Sequence, residues 1–343
     1  MAETWPGLVL LLVLAALGCQ PAAGDRDHPD AVLTISAFSV VREAYDKALL
    51  PGFSRWYEAR SGRPVRVEAS YGASGAQSRA VVEGFEADVV VFSMADDVER
   101  LRRAGLITHD YEAAPYHGLV SHSVVVFAVR PGNPKAIHDW ADLARRDVDV
   151  LTANPNTSGG AIWNIAGLYG AAQREPAKTQ FGVADPSEAL ARVLGRVEIM
   201  DRSGRDSVQT FERGMGDVVI TYENEIVVGQ RAGRRYDQVT PHATLRIDNP
   251  AALVDVYVDQ HRRRELAETF LQYLRSPEAQ RIFAEAGLRP VDPEVAAESK
   301  GKVPEVSNLF TMDDLGGFTK LKEKLFSPAG AYTRALREAV ARR

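Results

Sequence analysis

Three times in this chain a strand-like apolar run is followed by a short loop of small residues and then by a helix-forming run. The loops are Tyr71-Gly72-Ala73-Ser74-Gly75, Thr157-Ser158-Gly159-Gly160 and Arg202-Ser203-Gly204-Arg205-Asp206-Ser207. Strands that alternate with helices, several of them near-continuous Val/Ile/Leu runs, call for a mostly parallel sheet covered by helices, so the fold class is α/β. At each helix start the first backbone N–H groups have no intrahelical partner and point out from the positive end of the helix dipole. Each loop is therefore a candidate anion site, with Gly or Ala positions that let a ligand approach the backbone closely. One such loop is equally an ordinary turn. Three in one chain point to a shared anion.

The 343 residues leave room for two domains of ordinary size. A net charge of −5 excludes the concentrated basic face that nucleic-acid binding needs, so an anion must be held by local dipoles and donors. At the N-terminus, residues 8–17 form an apolar run too short to span a bilayer and suited to a signal-peptide core. It ends in Ala16-Leu17-Gly18-Cys19, and Cys19 is the only cysteine. This pattern resembles a bacterial lipoprotein signal, in which the cysteine is lipidated and becomes the first mature residue. The expectation is a signal peptide at 1–18, a polar linker at 19–30, and a disulfide-free domain anchored by lipid at Cys19 in the periplasm or on the outer face of the cell membrane.

Along the folded part, strands are expected at 32–37, 65–69, 87–92, 123–129, 148–151, 197–200, 218–222 and 254–258, with 238–247 extended. Helices are expected at 41–57, interrupted near Pro51-Gly52, and at 96–104, 138–145 and 184–194, the last capped by Ser187. Another starts at Ser276-Pro277, with serine at the cap and proline in the first turn. The three loops fall in both halves of the chain. A ligand touched by all of them would lie between two lobes, at the carboxyl ends of parallel strands.

These residues also match a known family. Gly72-Ala73-Ser74-Gly75-Ala76-Gln77, Asn154-Pro155-Asn156-Thr157-Ser158-Gly159-Gly160-Ala161-Ile162-Trp163-Asn164 and Gly214-Met215-Gly216-Asp217-Val218-Val219-Ile220-Thr221-Tyr222-Glu223-Asn224-Glu225 carry the resemblance. So do Val129-Arg130-Pro131-Gly132-Asn133-Pro134 and Ser276-Pro277-Glu278-Ala279-Gln280. The chain resembles the periplasmic sulfate/thiosulfate-binding proteins, the solute-binding components of ABC transporters, over essentially its whole mature length. The resemblance implies two α/β lobes of the class II binding-protein fold, joined by two crossing strands and closing on the anion like a hinge. Lobe 1 would hold 31–124 and 245–343, and lobe 2 would hold 125–244. Ser39, Ser74, Ser158, Gly159, Gly160, Gly204 and Tyr222 fall at the family's sulfate-contacting positions. A monomer that docks on a membrane permease is implied, with no cofactor and no metal.

Two departures bear on selectivity. The family usually has tryptophan at the position of Tyr222, and Tyr-Asp-Pro-Thr where this chain has Phe38-Ser39-Val40-Val41. An indole only donates a hydrogen bond, whereas a phenol donates or accepts. Sulfate at neutral pH carries no proton, so a lining of donors alone satisfies it. Hydrogen phosphate would turn its proton toward a donor and leave a buried polar group unpaired, at about 1–3 kcal/mol. Thiosulfate, molybdate, tungstate and phosphate stay open as ligands, as does a sensor role. Asp206 and Glu223 are expected to cap helices or to pair with Arg202 or Arg205. An exported hydrolase is the rival outside the binding proteins. It lacks support, because the seven histidines show no metal spacing and no Gly-x-Ser-x-Gly elbow surrounds Ser158.

Overall fold

The computed structural model describes Met1 and residues 31–301 and 304–341, so the expected signal, Cys19 and linker lie outside the described residues. From β1 (Ala31–Phe38) the chain runs through a 3-10 turn (Ser39–Val41), α1 (Arg42–Ala44), a π-helical turn (Tyr45–Leu49) and α2 (Leu50–Ser61). Then follow β2 (Val65–Gly72), α3 (Ser74–Val82), β3 (Val89–Val91) and α4 (Ala95–Arg103). β1 lies between β2 and β3, parallel to both. The long β4 (Leu119–Val129) leads to a second series: β5 (Val150–Ala153), α5 (Gly159–Ala171), α6 (Ala177–Phe181), α7 (Pro186–Leu194) and β6 (Val197–Asp201). It continues with α8 (Gly204–Glu212), β7 (Val218–Tyr222) and α9 (Glu223–Arg231). Here β5 lies between β6 and β7, again in parallel.

After a short β8 (Asp237–Val239), β9 (Ala243–Leu253) returns the chain to the first series. β4 pairs with β9 over residues 119–124 and with β7 over 125–129. β9 in turn pairs with β4 through Pro250 and with β3 from Ala251 onward. The same two strands thus belong to both half-sheets. The result is the two-lobed α/β fold with crossing strands that the family resemblance implied.

The remaining elements are α10 (Asp255–Gln260), α11 (Arg264–Leu274), α12 (Pro277–Glu285), α13 (Pro293–Glu298), β10 (Asn308–Phe310), α14 (Phe318–Phe326) and α15 (Ala331–Ala341). Ser276 caps α12 as expected, accepting from Ala279 N–H. The last segment packs on elements of the second series. β10 pairs with the start of β9, α15 packs on α7, and the Tyr332 hydroxyl reaches Met200 Sδ of β6 at 3.7 Å. Phe310 is buried and presses on α5, its ring at the Cβ position of Gly170.

Local readings also changed. Residues 254–258 form a helical turn and not a strand. Their Val-x-Val spacing is β-like, but Asp255 sits in the first turn of α10, where its carboxylate takes the N–H groups of Thr108 and His109. The interruption expected near Pro51 takes the form of the π-helical turn Tyr45–Leu49 just ahead of it, where a proline without an N–H breaks the α-helical pattern while the backbone stays helical through Ser61. The 138–145 helix shrinks to a 3-10 segment, Trp140–Ala144, capped by Asp139. Asp185, and not Ser187, caps α7.

Candidate anion-binding cleft

The C-terminal ends of β1, β2, β3, β5, β6 and β7 deliver their following residues to one cleft between the half-sheets. The starts of α3 and α5 meet there: a Cβ built on Gly75 would lie 3.2 Å from the Thr157 carbonyl oxygen. The start of α8 meets the 3-10 turn, with the Gly204 Cβ position 3.4 Å from Val40 Cγ2. The Asn224 side chain donates to Val40 O at 3.1 Å, and the Trp163 indole donates to Ser93 O at 2.6 Å. Each of these contacts joins one half to the other, so the cleft is closed.

α5 is the central element. Ser158 precedes it in extended conformation and makes no side-chain cap bond, and nearly every residue of the helix is buried. Such a helix needs small residues wherever neighbours press. A Cβ on Gly159 would fall 2.2 Å from Ser93 Oγ, and one on Gly160 would lie 3.3 Å from Ser158 Oγ and 3.5 Å from the Tyr222 hydroxyl. The two glycines thus let the free N–H groups of the helix start come up against the opposite half and the phenol.

The serines divide in a way the sequence did not show. Ser74 is buried, but its hydroxyl donates to Asp97 Oδ2 at 2.5 Å and accepts from Ser93 N–H at 3.0 Å. Its hydroxyl is thus engaged by Asp97 and Ser93. Ser203 accepts from Asp206 N–H as the α8 cap. Ser39 lines the cleft mouth with Arg42, Tyr71 and Arg202, around a cavity of about 540 Å³.

Tyr222 is 2% exposed, its ring 6.2 Å from that of Phe38, and its hydroxyl has no hydrogen-bond partner among the described residues. It lies beside Ser93, whose hydroxyl is also buried and unpartnered, without the alignment of a hydrogen bond between them. Burial, with smaller contributions from the Asp97 and Glu225 charges, pushes the phenol pKa upward, so the hydroxyl keeps its proton. Burial also raises the pKa of Asp97, against the pull of Ser74 and Arg100.

Two arginines near the cleft are paired with carboxylates. Arg100 pairs with Asp97 at 2.8 Å. Arg205 meets Glu43 at 2.5 Å and lies 3.2 Å from Glu225. Burial pushes the Glu225 pKa up to about 8, even with Arg205 beside it. Glu223, expected to cap a helix or to pair with Arg202 or Arg205, opens α9 and is held by Arg289 at 2.8 and 3.0 Å. Ser93, Asp97, Glu225 and Trp163 had not been singled out. For Ser93 a signal existed, because it follows directly on a buried parallel strand, where such folds place their ligands. Among the described residues no group of three or more His, Cys, Asp or Glu could hold a metal ion. His109, His122 and His261 pair with Asp255, Asp248 and Asp88.

A closed two-lobed cleft lined by helix N-termini defines a receptor for a small anionic solute. The family model for bacterial extracellular solute-binding proteins matches residues 44–289. A sulfate-binding protein of Synechococcus elongatus is 36% identical over 97% of this chain and 94% of its own length. A thiosulfate-binding protein of Escherichia coli is 32% identical over 88% of this chain and 90% of its own. Among solved structures, the sulfate-binding protein SubI from Mycobacterium tuberculosis H37Rv is 36% identical, with a TM-score of 0.78 over 87% of this chain and all of that one. The chain belongs to the sulfate/thiosulfate-binding family of bacterial extracellular solute-binding proteins.

Proposed function

We propose that this protein captures sulfate, or the closely similar thiosulfate, outside the cytoplasm and delivers it to the membrane permease of an ABC transporter, without catalysing a reaction on it. The ligand would sit where the starts of α3, α5 and α8 converge, held by N–H groups at Ser74, Ser158, Gly159, Gly160 and Gly204 and by the Tyr222 hydroxyl. Ser39 would border the entrance. The observation that carries this reading is the contact of helix starts from opposite halves around Gly75, Gly159 and Gly160, beside a buried phenol with no partner. Relatives with sulfate- and thiosulfate-binding names, aligned over most of their lengths, support it.

In this reading lobe 1 comprises 31–124 and 245 to about 307, and lobe 2 comprises 125–244 with the C-terminal segment from β10 on. The open form takes the anion on one lobe; closure adds the donors of the other and expels water. A lipid on Cys19 would tether the monomeric receptor to the membrane. Calorimetric titration of the mature domain, begun after Cys19 and dialysed free of anions, tests the assignment. One-to-one binding of sulfate or thiosulfate is expected, and silence toward both would overturn it. Export with radiolabelled palmitate tests the anchor, label being expected on the wild type and absent from Cys19→Ser.

A further inference from the structure

We propose that Tyr222 and Ser93 form a reversible hydroxyl pair that lets this cleft accept tetrahedral oxyanions carrying a proton, such as hydrogen phosphate, alongside fully deprotonated sulfate. The inference rests on the anion site assigned above and deepens it. Sulfate and monohydrogen phosphate share shape and charge, so a receptor separates them chiefly by what it offers the extra proton. Donors alone reject that proton, because one donor is left buried against another. Discrimination then needs every group at the site to be fixed as a donor.

Here, besides the Ser158 hydroxyl, which makes no cap bond, two groups beside each other are not fixed. The Tyr222 hydroxyl and the Ser93 hydroxyl are both nine-tenths or more buried, neither has a partner, and they lie side by side at Gly160 and Gly159. A hydroxyl can accept from a ligand only if its own hydrogen has somewhere else to go. For Tyr222 that place is Ser93. With sulfate bound, Ser93 donates to Tyr222, which donates to the anion. With hydrogen phosphate bound, the ligand donates to the Tyr222 oxygen and the phenol turns its hydrogen toward Ser93. Ser74 cannot act this way, because its hydrogen is committed to Asp97 and its oxygen receives Ser93 N–H. An indole at position 222 would fix a donor there and remove the option.

Paired titrations of the dialysed mature domain with sulfate and with inorganic phosphate at mildly alkaline pH test the proposal. In the wild type, phosphate is expected to bind within about a hundredfold of sulfate, against the 10⁴ or more that a site built to reject a proton can reach. Tyr222→Trp should widen the sulfate-over-phosphate ratio at least about tenfold. Ser93→Ala should weaken phosphate more than sulfate, since it removes the outlet for the phenol hydrogen. Sulfate binding with phosphate silent in the wild type overturns the inference and leaves the sulfate reading standing. Phosphate binding with sulfate silent overturns both, since the inference requires that each anion be accepted. A ratio that neither variant moves, with folding confirmed by circular dichroism, also overturns it.

Discussion

The starts of α5 and α8 share a grammar, yet they are equipped differently. Both follow a parallel strand, and both begin Ser-Gly. At α8 the cap serine takes the Asp206 N–H, and Arg205 reaches across to Glu43 of the other half while lying 3.2 Å from Glu225 in its own. At α5 the cap serine makes no cap bond, two glycines follow, and the helix is buried almost throughout. One start is held by its own side chains and by an ion pair to the other half. The other is kept bare. A free N–H cluster that presses on the opposite lobe is what a tetrahedral anion needs, so recognition should centre on α5, with closure reinforced at α8.

The sharpest way to break this comparison is to add bulk at each start in turn. Gly160→Leu would drive a side chain into the Ser158 hydroxyl and the Tyr222 ring, already 3.3–3.5 Å from the Cβ position. Sulfate affinity by calorimetry should fall at least ~100-fold, the scale of about 3 kcal/mol. Gly204→Ala meets only Val40 Cγ2 at 3.4 Å and should cost little. Equal losses would mean that the two starts are equivalent and the asymmetry is illusory. The second test removes the α8 contact. Arg205→Met deletes the charge-assisted bond to Glu43 and should weaken sulfate roughly 10- to 100-fold, with Gly159 and Gly160 untouched.

How much of this was legible before the structure follows the same division. The α/β class and the three helix starts are properties of the backbone and of apolar periodicity, and the sequence carries both; the crossing strands came only with the family resemblance. The use of each serine is not local. Ser74 and Ser158 read alike in their loops, but Asp97, 23 residues on, claims one hydroxyl and nothing claims the other. The partner of Glu223 could not be read either, because Arg289 arrives from 66 residues away. At 254–258 a β-like Val spacing misled, since a buried aspartate at a helix start outweighs propensity. The C-terminal helices carry amphipathic faces that say a surface is buried, but not which lobe supplies it.

Glu225 sharpens the comparison through pH. It is fully buried behind the α8 contact, and its folded-state pKa rises from 4.5 to about 8. Because the folded form holds this proton more tightly than the unfolded chain, its contribution is fully present below pH 4.5 and is lost as pH rises through about 8. Thermal unfolding should show Tm declining across that window. Glu225→Gln should flatten the decline, and Arg205→Met should steepen it toward alkaline pH by removing the charge that favours ionisation. No difference among the three profiles would mean that Glu225 ionises as freely in the folded protein as in the unfolded chain.

The smallest expected effect reports on α5 itself. The Trp163 indole, on the first turn after the glycines, donates to Ser93 O across the cleft at 2.6 Å, and the side chain is 4% exposed. Opening would break this bond and wet the ring, so anion binding should change tryptophan emission. Trp163→Phe keeps most of the packing but lacks the donor. It should lose that optical signal and weaken sulfate only about fivefold, the worth of one neutral hydrogen bond near 1 kcal/mol. A signal that survives the substitution would place the emitting indole elsewhere, with Trp140 the next candidate: it is buried in the second half, its N–H on Ala243 O, away from the closing surfaces. Since Ser93 then supplies both the carbonyl that receives Trp163 and the hydroxyl beside Tyr222, the fluorescence of the wild type would follow closure at the same residue that sets the polarity of the site.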